Sequence, residues 1–385
     1  MKYGKAMKSM LDDIWQELEA AHEREEFGGA VALIQHRGEI VLRKSLGWAV
    51  KVPESDQTPM SIDTIFDLAS ITKVIATAPA VLELVGQNKV GLDEPLATYI
   101  PEFGSDGMKR DVTIRNLLSH TSGFASWRGP YISGTGIDHY ISDFAATQPE
   151  AAPGSRAEYS CLGFISLGEV VRRVSGQQIN DYAAEHVFQP LGMVDTTYLP
   201  SSDIRHRIAA TELGNDHEHP MAKTNPVDGW RNYLLRGEVH DGNAWYGLHG
   251  ISGNAGAFGT ADDLLRYANM WLNGGELNGL CILPVDIVHE ATREQTGLSA
   301  PNERRGLGWQ MVPHPETEET AASGRGLSSR AYGHTGFTGT SMWIDPERDL
   351  VSILLTNRVH PKVNMAWGPT RAKISAMLAE ALPTA

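Results

Sequence analysis

At the N-terminal end, Met7, Met10, Leu11, Ile14, Trp15 and Leu18 recur at spacings of three and four. That period puts them on one face of an amphipathic helix. The pattern then changes: GAVALIQ (29–35) and EIVLRKSLGWAV (39–50) are extended runs separated by His36-Arg37-Gly38, which predicts a hairpin. Near the other end, TSMWID (340–345) and DLVSILLTN (349–357) flank Pro346-Glu347-Arg348 and predict a second hairpin. A final helical pattern covers roughly 363–382. Helix and hairpin at one end, hairpin and helix at the other, predict one antiparallel sheet built from both termini and covered by helices.

Between about 75 and 320 the chain reads as helical patches, Gly-rich turns and Pro stops, such as PLATYIPEF and FQPLGM. Strand alternation is thin there. The expected class is therefore α+β, one unit with two lobes: an α/β lobe from about 1–74 and 325–385, and a largely helical lobe from about 75–324 inserted into it. A cleft between the lobes is the natural site.

The first candidate chemistry sits in FDLASITKVIATAPAVLELV (66–85). It contains Ser70-Ile71-Thr72-Lys73, with Val74, Ala78, Val81, Leu82 and Val85 following at helical spacing. Three residues are about one turn, so Lys73 shares a face with Ser70. An amine desolvated there is expected to have its pKa lowered and to accept the seryl proton. The helix N-terminus would also place the Ser70 N–H where negative charge develops on a carbonyl oxygen. A Ser and a Lys three apart arise by chance about once in a chain of this size, so the pair needs company. Tyr159-Ser160-Cys161 and His334-Thr335-Gly336 supply it.

Ser70-x-x-Lys73, Tyr159-x-Cys161 and His334-Thr335-Gly336, in that order, resemble the three-motif set of the serine β-lactamase and penicillin-binding protein superfamily. The resemblance is closest to the class C β-lactamase-like branch, with its family VIII esterases, D-aminopeptidases and DD-peptidases. LLSHTSGF (117–124), PGSRAEYSCLGF (153–164), QPLGMVDTTYL (189–199) and HGISGNAGAFGTADDLLRYANMWLNGG (249–275) resemble that branch too. The likeness implies a β-lactamase-like fold, Ser70 as acylated nucleophile and Lys73 as its partner base. It implies Tyr159 as proton relay to the leaving group and to water, with Lys73 and His334 supplying a positive field. Phe337 would lend a second oxyanion N–H beside that of Ser70, and Thr335, Gly336 and Cys161 would line the substrate site.

Two departures shift the expected substrate. Cys161 stands where relatives usually have Asn, and it offers only a weak donor and acceptor to an acylamino side chain. His334 stands where many relatives have Lys, and it is only partly charged near neutrality. Both favour small esters or uncharged amides over penicillin-type substrates. The resemblance also leaves open β-lactamase, DD-peptidase or D-aminopeptidase activity, transacylation, and a penicillin- or peptidoglycan-fragment binder with little turnover.

Composition narrows the rest. The 385 residues are 41% hydrophobic, ample for a core without metal or disulfide staples. With 33 Lys and Arg against 47 Asp and Glu, the net charge of −14 makes nucleic acid and anionic lipid poor partners. Arg172-Arg173 and Arg304-Arg305 read as solvated faces. The first 23 residues show no apolar leader and no run approaches a spanning helix, so the reading is a reduced, cytoplasmic protein. Cys161 and Cys281 are too few for a disulfide framework, and both read as packed core residues rather than nucleophiles. Asp216, His217, Glu218 and His219 in NDHEHP (215–220) lack a third spaced metal ligand and read as a solvated loop. His120 reads as a turn-fixing residue, and His240, Asp241 and His249 as cleft-lining residues without assigned chemistry. No G-x-S-x-G, H-E-x-x-H or nucleotide fingerprint occurs, and no cofactor or metal is expected. The sequence sets no oligomeric state.

Overall fold

The structure is a computed structural model that describes residues 5–104, 107–221, 229–297, 303–313 and 324–382. Its strands, in chain order, are β1 (Gly29–His36), β2 (Glu39–Val50), β3 (Thr58–Pro59), β4 (Phe66–Asp67), β5 (Thr197–Tyr198) and β6 (Ala257–Gly259). They continue with β7 (Glu276–Leu277), β8 (Leu280–Cys281), β9 (Gln310–Met311), β10 (Tyr332–Thr335), β11 (Ser341–Asp345) and β12 (Leu350–Thr356). Seven form an antiparallel sheet in the order β3-β2-β1-β12-β11-β10-β9. The two chain ends meet at its centre, where β1 pairs with β12 from Ala30↔Thr356 to His36↔Leu350.

Side-chain alternation explains why β1 reads as one continuous apolar run. Ala30, Ala32 and Ile34 pack with Leu11, Ile14 and Leu18 of the helix Lys5–Glu23 and with Trp367, Ile374 and Leu378 of the helix Trp367–Ala381. Val31 and Leu33 face the opposite core, with Leu264, Tyr267 and Trp271 of the helix Ala261–Leu272. A sheet covered on both faces needs apolar residues at every position. That last helix and β9 come from the middle of the chain, so the sheet lobe draws on more than residues 1–74 and 325–385. The first hairpin turns on Arg37-Gly38, both at positive φ (52° and 73°), while His36 is still in the strand. Positive φ at both turn residues matches the right-handed twist of the flanking strands.

A second sheet, β4-β6-β5, was not legible in the sequence. Its strands of two or three residues are too short to show alternation. It matters because Asp67 ends β4 three residues before Ser70. The stretch Ala69–Gly86 is long and apolar enough to cross a bilayer, and 78% of it is buried inside the fold, as befits a core helix. Cys281 is a correction: it is exposed on the β7-β8 hairpin rather than in the core. The Asn278-Gly279 turn carries this edge outward.

Candidate active site

The segment after β4 enters a tight helical turn, Ala69–Ile71, then a wide turn, Lys73–Thr77, and only then a regular α-helix, Ala78–Gly86. Ser70 lies in the tight turn and Lys73 opens the wide one, three residues on, which keeps the two side chains on the same side of the helix. The Lys73 Nζ donates to Ser70 Oγ at 3.1 Å and to the Asn254 carbonyl at 2.9 Å, and it touches Cys161 Sγ at 3.6 Å. Ala69 takes up a φ of +46°, which costs a non-glycine residue about 1–2 kcal/mol. The strain is held by the Ala69 N–H, which donates to Asp67 Oδ1 at 2.8 Å. The other oxygen of Asp67 accepts the His240 N–H at 2.7 Å, so one buried carboxyl ties the serine turn to the opposite wall.

Tyr159 arrives on the segment just before the helix Cys161–Ser175, and its phenol hydroxyl donates to Ser70 Oγ at 2.7 Å. His120 sets that segment. Its carbonyl accepts the Glu158 N–H at 2.8 Å, its Nδ1 accepts the Ser160 N–H at 3.0 Å, and its ring lies 4.7 Å from that of Tyr159. The expected turn-fixing role is thus a specific one, positioning the phenol.

The third motif closes from β10. Gly336 donates its N–H to the Thr340 carbonyl at 2.8 Å, while Thr338 and Thr340 hydroxyls donate to the carbonyls of Asp67 (2.7 Å) and Leu68 (3.2 Å). A Cβ at Gly336 would stand 2.6 Å from the Leu68 carbonyl and 2.1 Å from Thr340 Oγ1. Glycine is therefore what lets this turn approach the serine turn. Ser70 and Phe337 consequently line the same cleft, of about 190 Å³, together with Ala69, Trp127, Tyr159, Cys161, His217, Glu218, Met221, His240, Asp241 and Ala255. Arg358 Nε donates to the Phe337 carbonyl at 2.7 Å, and the His240 ring stacks on the Phe337 ring at 5.6 Å.

Electrostatics correct three expectations. Burial alone would push the Lys73 amine down, but its interactions with the acidic groups of Cys161, Tyr159 and Asp241 outweigh burial and hold the pKa above the usual lysine value. Lys73 is accordingly an ammonium at neutral pH rather than a free amine. Burial also raises the Tyr159 phenol, against the pull of Lys73. His334 supplies no cation: burial, then the Arg305 and Lys73 charges, push its pKa well below that of free imidazole. Its Nδ1 donates to the Thr335 carbonyl at 2.8 Å, and its ring lies 6.1 Å from Tyr159. The permanent cation at this place is Arg305, 4% exposed, with its guanidinium 5.5 Å from the Tyr159 ring centroid and its Nε donating to Glu303 at 3.0 Å. Nothing in Arg304-Arg305 distinguishes this residue from a solvated basic pair.

The NDHEHP loop is a further correction. Glu218 is 7% exposed and accepts the Gly242 N–H at 3.0 Å and the Tyr131 hydroxyl at 3.3 Å. Burial and the Asp241 carboxylate push its pKa up to about 7. Its polar neighbours hid a buried acid that only packing reveals. His240 and Asp241 line the cleft as expected, whereas His249 lines a separate cavity beside Ile165 and Gly168. Among the described residues no cluster could hold a metal ion.

Comparison with known proteins agrees with this geometry. The family model described as "Beta-lactamase" matches residues 13–375. An Escherichia coli (strain K12) protein named "Putative D-alanyl-D-alanine carboxypeptidase" is 32% identical over 350 residues, covering 86% of this chain and 78% of its own. A Bacillus subtilis (strain 168) protein named N-acetylmuramyl-L-alanine amidase is also 32% identical, over 358 residues, 88% of this chain and 78% of its own. The solved structure of a family VIII carboxylesterase superposes with a TM-score of 0.72 at 22% identity, over 97% of this chain and 98% of the other. These matches, with the seven-stranded sheet and the helices around it, show that the chain belongs to the beta-lactamase family of serine hydrolases.

Proposed function

We propose that the protein is a serine hydrolase that forms an acyl-enzyme on Ser70 and acts on small carboxylic esters, with uncharged amides as a second substrate class. One observation carries this reading: Ser70 Oγ receives hydrogen bonds from both Lys73 Nζ and the Tyr159 hydroxyl inside a cleft open to a small molecule. Lys73 and Tyr159 act as one proton-sharing unit. Once the pair has lost a proton, it accepts the seryl proton as Ser70 Oγ attacks the carbonyl carbon. The Ser70 and Phe337 N–H groups are assigned to the oxyanion. The same unit returns the proton to the leaving alkoxide, and later takes one from the water that frees the acid. Mass spectrometry of peptides after a rapid quench with p-nitrophenyl butyrate should find one acyl group on the peptide carrying Ser70. Turnover with the acyl group elsewhere, or on no residue, would refute the assignment.

The ester preference rests on Cys161 and His334. The thiol beside Lys73 lacks the amide pair that would hold an acylamino side chain. The neutral imidazole of His334 gives no charge to a substrate carboxylate. Cys161→Asn should therefore raise kcat/KM for acylamino substrates such as penicillins relative to p-nitrophenyl butyrate, by roughly tenfold for one good hydrogen-bonded pair. An unchanged ratio would remove Cys161 as a determinant of specificity.

A further inference from the structure

The Phe337 N–H, one of the two groups assigned to the oxyanion, meets no backbone acceptor among the described residues. Phe337 lies in the turn after β10, where the Gly336 and Gly339 carbonyls are held by neutral donors. Gly336 accepts the Gly339 N–H at 3.1 Å, and Gly339 accepts the Thr356 hydroxyl at 3.0 Å and the Trp367 indole N–H at 2.9 Å. The Phe337 carbonyl differs, because its donor is a cation, Arg358 Nε at 2.7 Å. The same guanidinium lies 4.8 Å from the centroid of the Phe337 ring, which also meets the rings of His217 at 5.0 Å and His240 at 5.6 Å. Room for the arginine stem comes from Gly339, where a Cβ would stand 2.8 Å from Arg358 Cγ.

This placement is costly for Arg358. It is 8% exposed, and its Nη1 reaches only the Asn364 carbonyl at 3.2 Å and Met365 Sδ at 3.1 Å. No Asp or Glu among the described residues forms an ion pair with it. Burial brings its pKa down to about 10, which leaves it a cation at neutral pH. A neutral donor would satisfy the Phe337 carbonyl with less desolvation, as it does at Gly336 and Gly339. A charged donor gives a stronger, better-directed bond, and its field favours negative charge nearby. We infer that Arg358 is a positioning residue of the oxyanion site. By clamping the carbonyl and ring of Phe337 it fixes the direction of the Phe337 N–H, and its charge stands behind the turn when the substrate oxygen becomes negative. It does not line the cleft itself and touches no reacting atom. The inference rests on the acyl-enzyme reading and adds to it a residue outside the three motifs.

Two esters that differ in one atom test it: p-nitrophenyl butyrate and its thiono analogue, with C=S in place of C=O. Sulfur is the weaker hydrogen-bond acceptor, so the thiono ester gains little from the oxyanion donors. Corrected for the reactivity of each ester with hydroxide, wild-type kcat/KM should favour the oxygen ester by about 10²-fold, the scale of one oxyanion donor. Arg358→Met keeps the reach of the side chain and loses its donors and charge. In that variant the preference should shrink by at least about tenfold, through kcat rather than KM, because the N–H is no longer aligned. General damage to the fold lowers both esters alike, so an unchanged preference overturns the inference. Arg358→Gln carries the same comparison if the methionine variant does not fold. Wild-type protein that hydrolyses neither ester refutes the hydrolase reading and this inference with it. Wild-type hydrolysis with the same preference in the folded variant refutes the role of Arg358 alone.

Discussion

Ser70→Ala is expected to abolish ester hydrolysis, lowering kcat for p-nitrophenyl butyrate by at least about 10³-fold, because the covalent route disappears with the nucleophile. The fold should survive. Ser70 is only partly buried, its Oγ accepts hydrogen bonds rather than filling the core, and the turn around it is held by Asp67, Thr338 and Thr340. A melting temperature within a few degrees of wild type, with no acyl group trapped, is the expected pair of results. Residual turnover close to wild type would show that the chemistry lies elsewhere.

Tyr159→Phe should keep the ring packed against His120 and remove only the hydroxyl that reaches Ser70. Loss of a positioned proton carrier typically costs about 10²–10⁴-fold, so kcat should fall within that range. The pH profile gives the second readout. Both members of the Lys73–Tyr159 pair sit above their ordinary pKa values. The base is the form of the pair that has lost a proton, so wild-type kcat/KM should rise as pH climbs into the alkaline range. In Tyr159→Phe that limb should flatten or move, since one partner of the shared titration is gone. A profile unchanged by Tyr159→Phe would mean that Lys73 alone carries the proton.

Much of the architecture was legible because it rests on local signals. The period of the first helix, the two terminal hairpins and the closing helix follow from hydrophobic spacing and turn residues, and their mirror order implied one sheet. The middle of the chain was harder. β4, β5 and β6 are too short to read, yet they set the position of Ser70, and burial on both faces erased the alternation that would mark β1.

By itself, then, the sequence determined the fold class, the terminal sheet and the three motifs that converge on Ser70. Residue type and order carry these, since they depend on period, turn chemistry and motif spacing. Only the tertiary structure decided the electrostatics. Lys73 stays charged because Cys161, Tyr159 and Asp241 surround it, and His334 is neutral because it is buried beside Arg305 and Lys73. Glu218 became a buried wall of the cleft rather than a solvated loop residue. Charge and burial are properties of neighbours brought together from distant parts of the chain, and no local pattern records them.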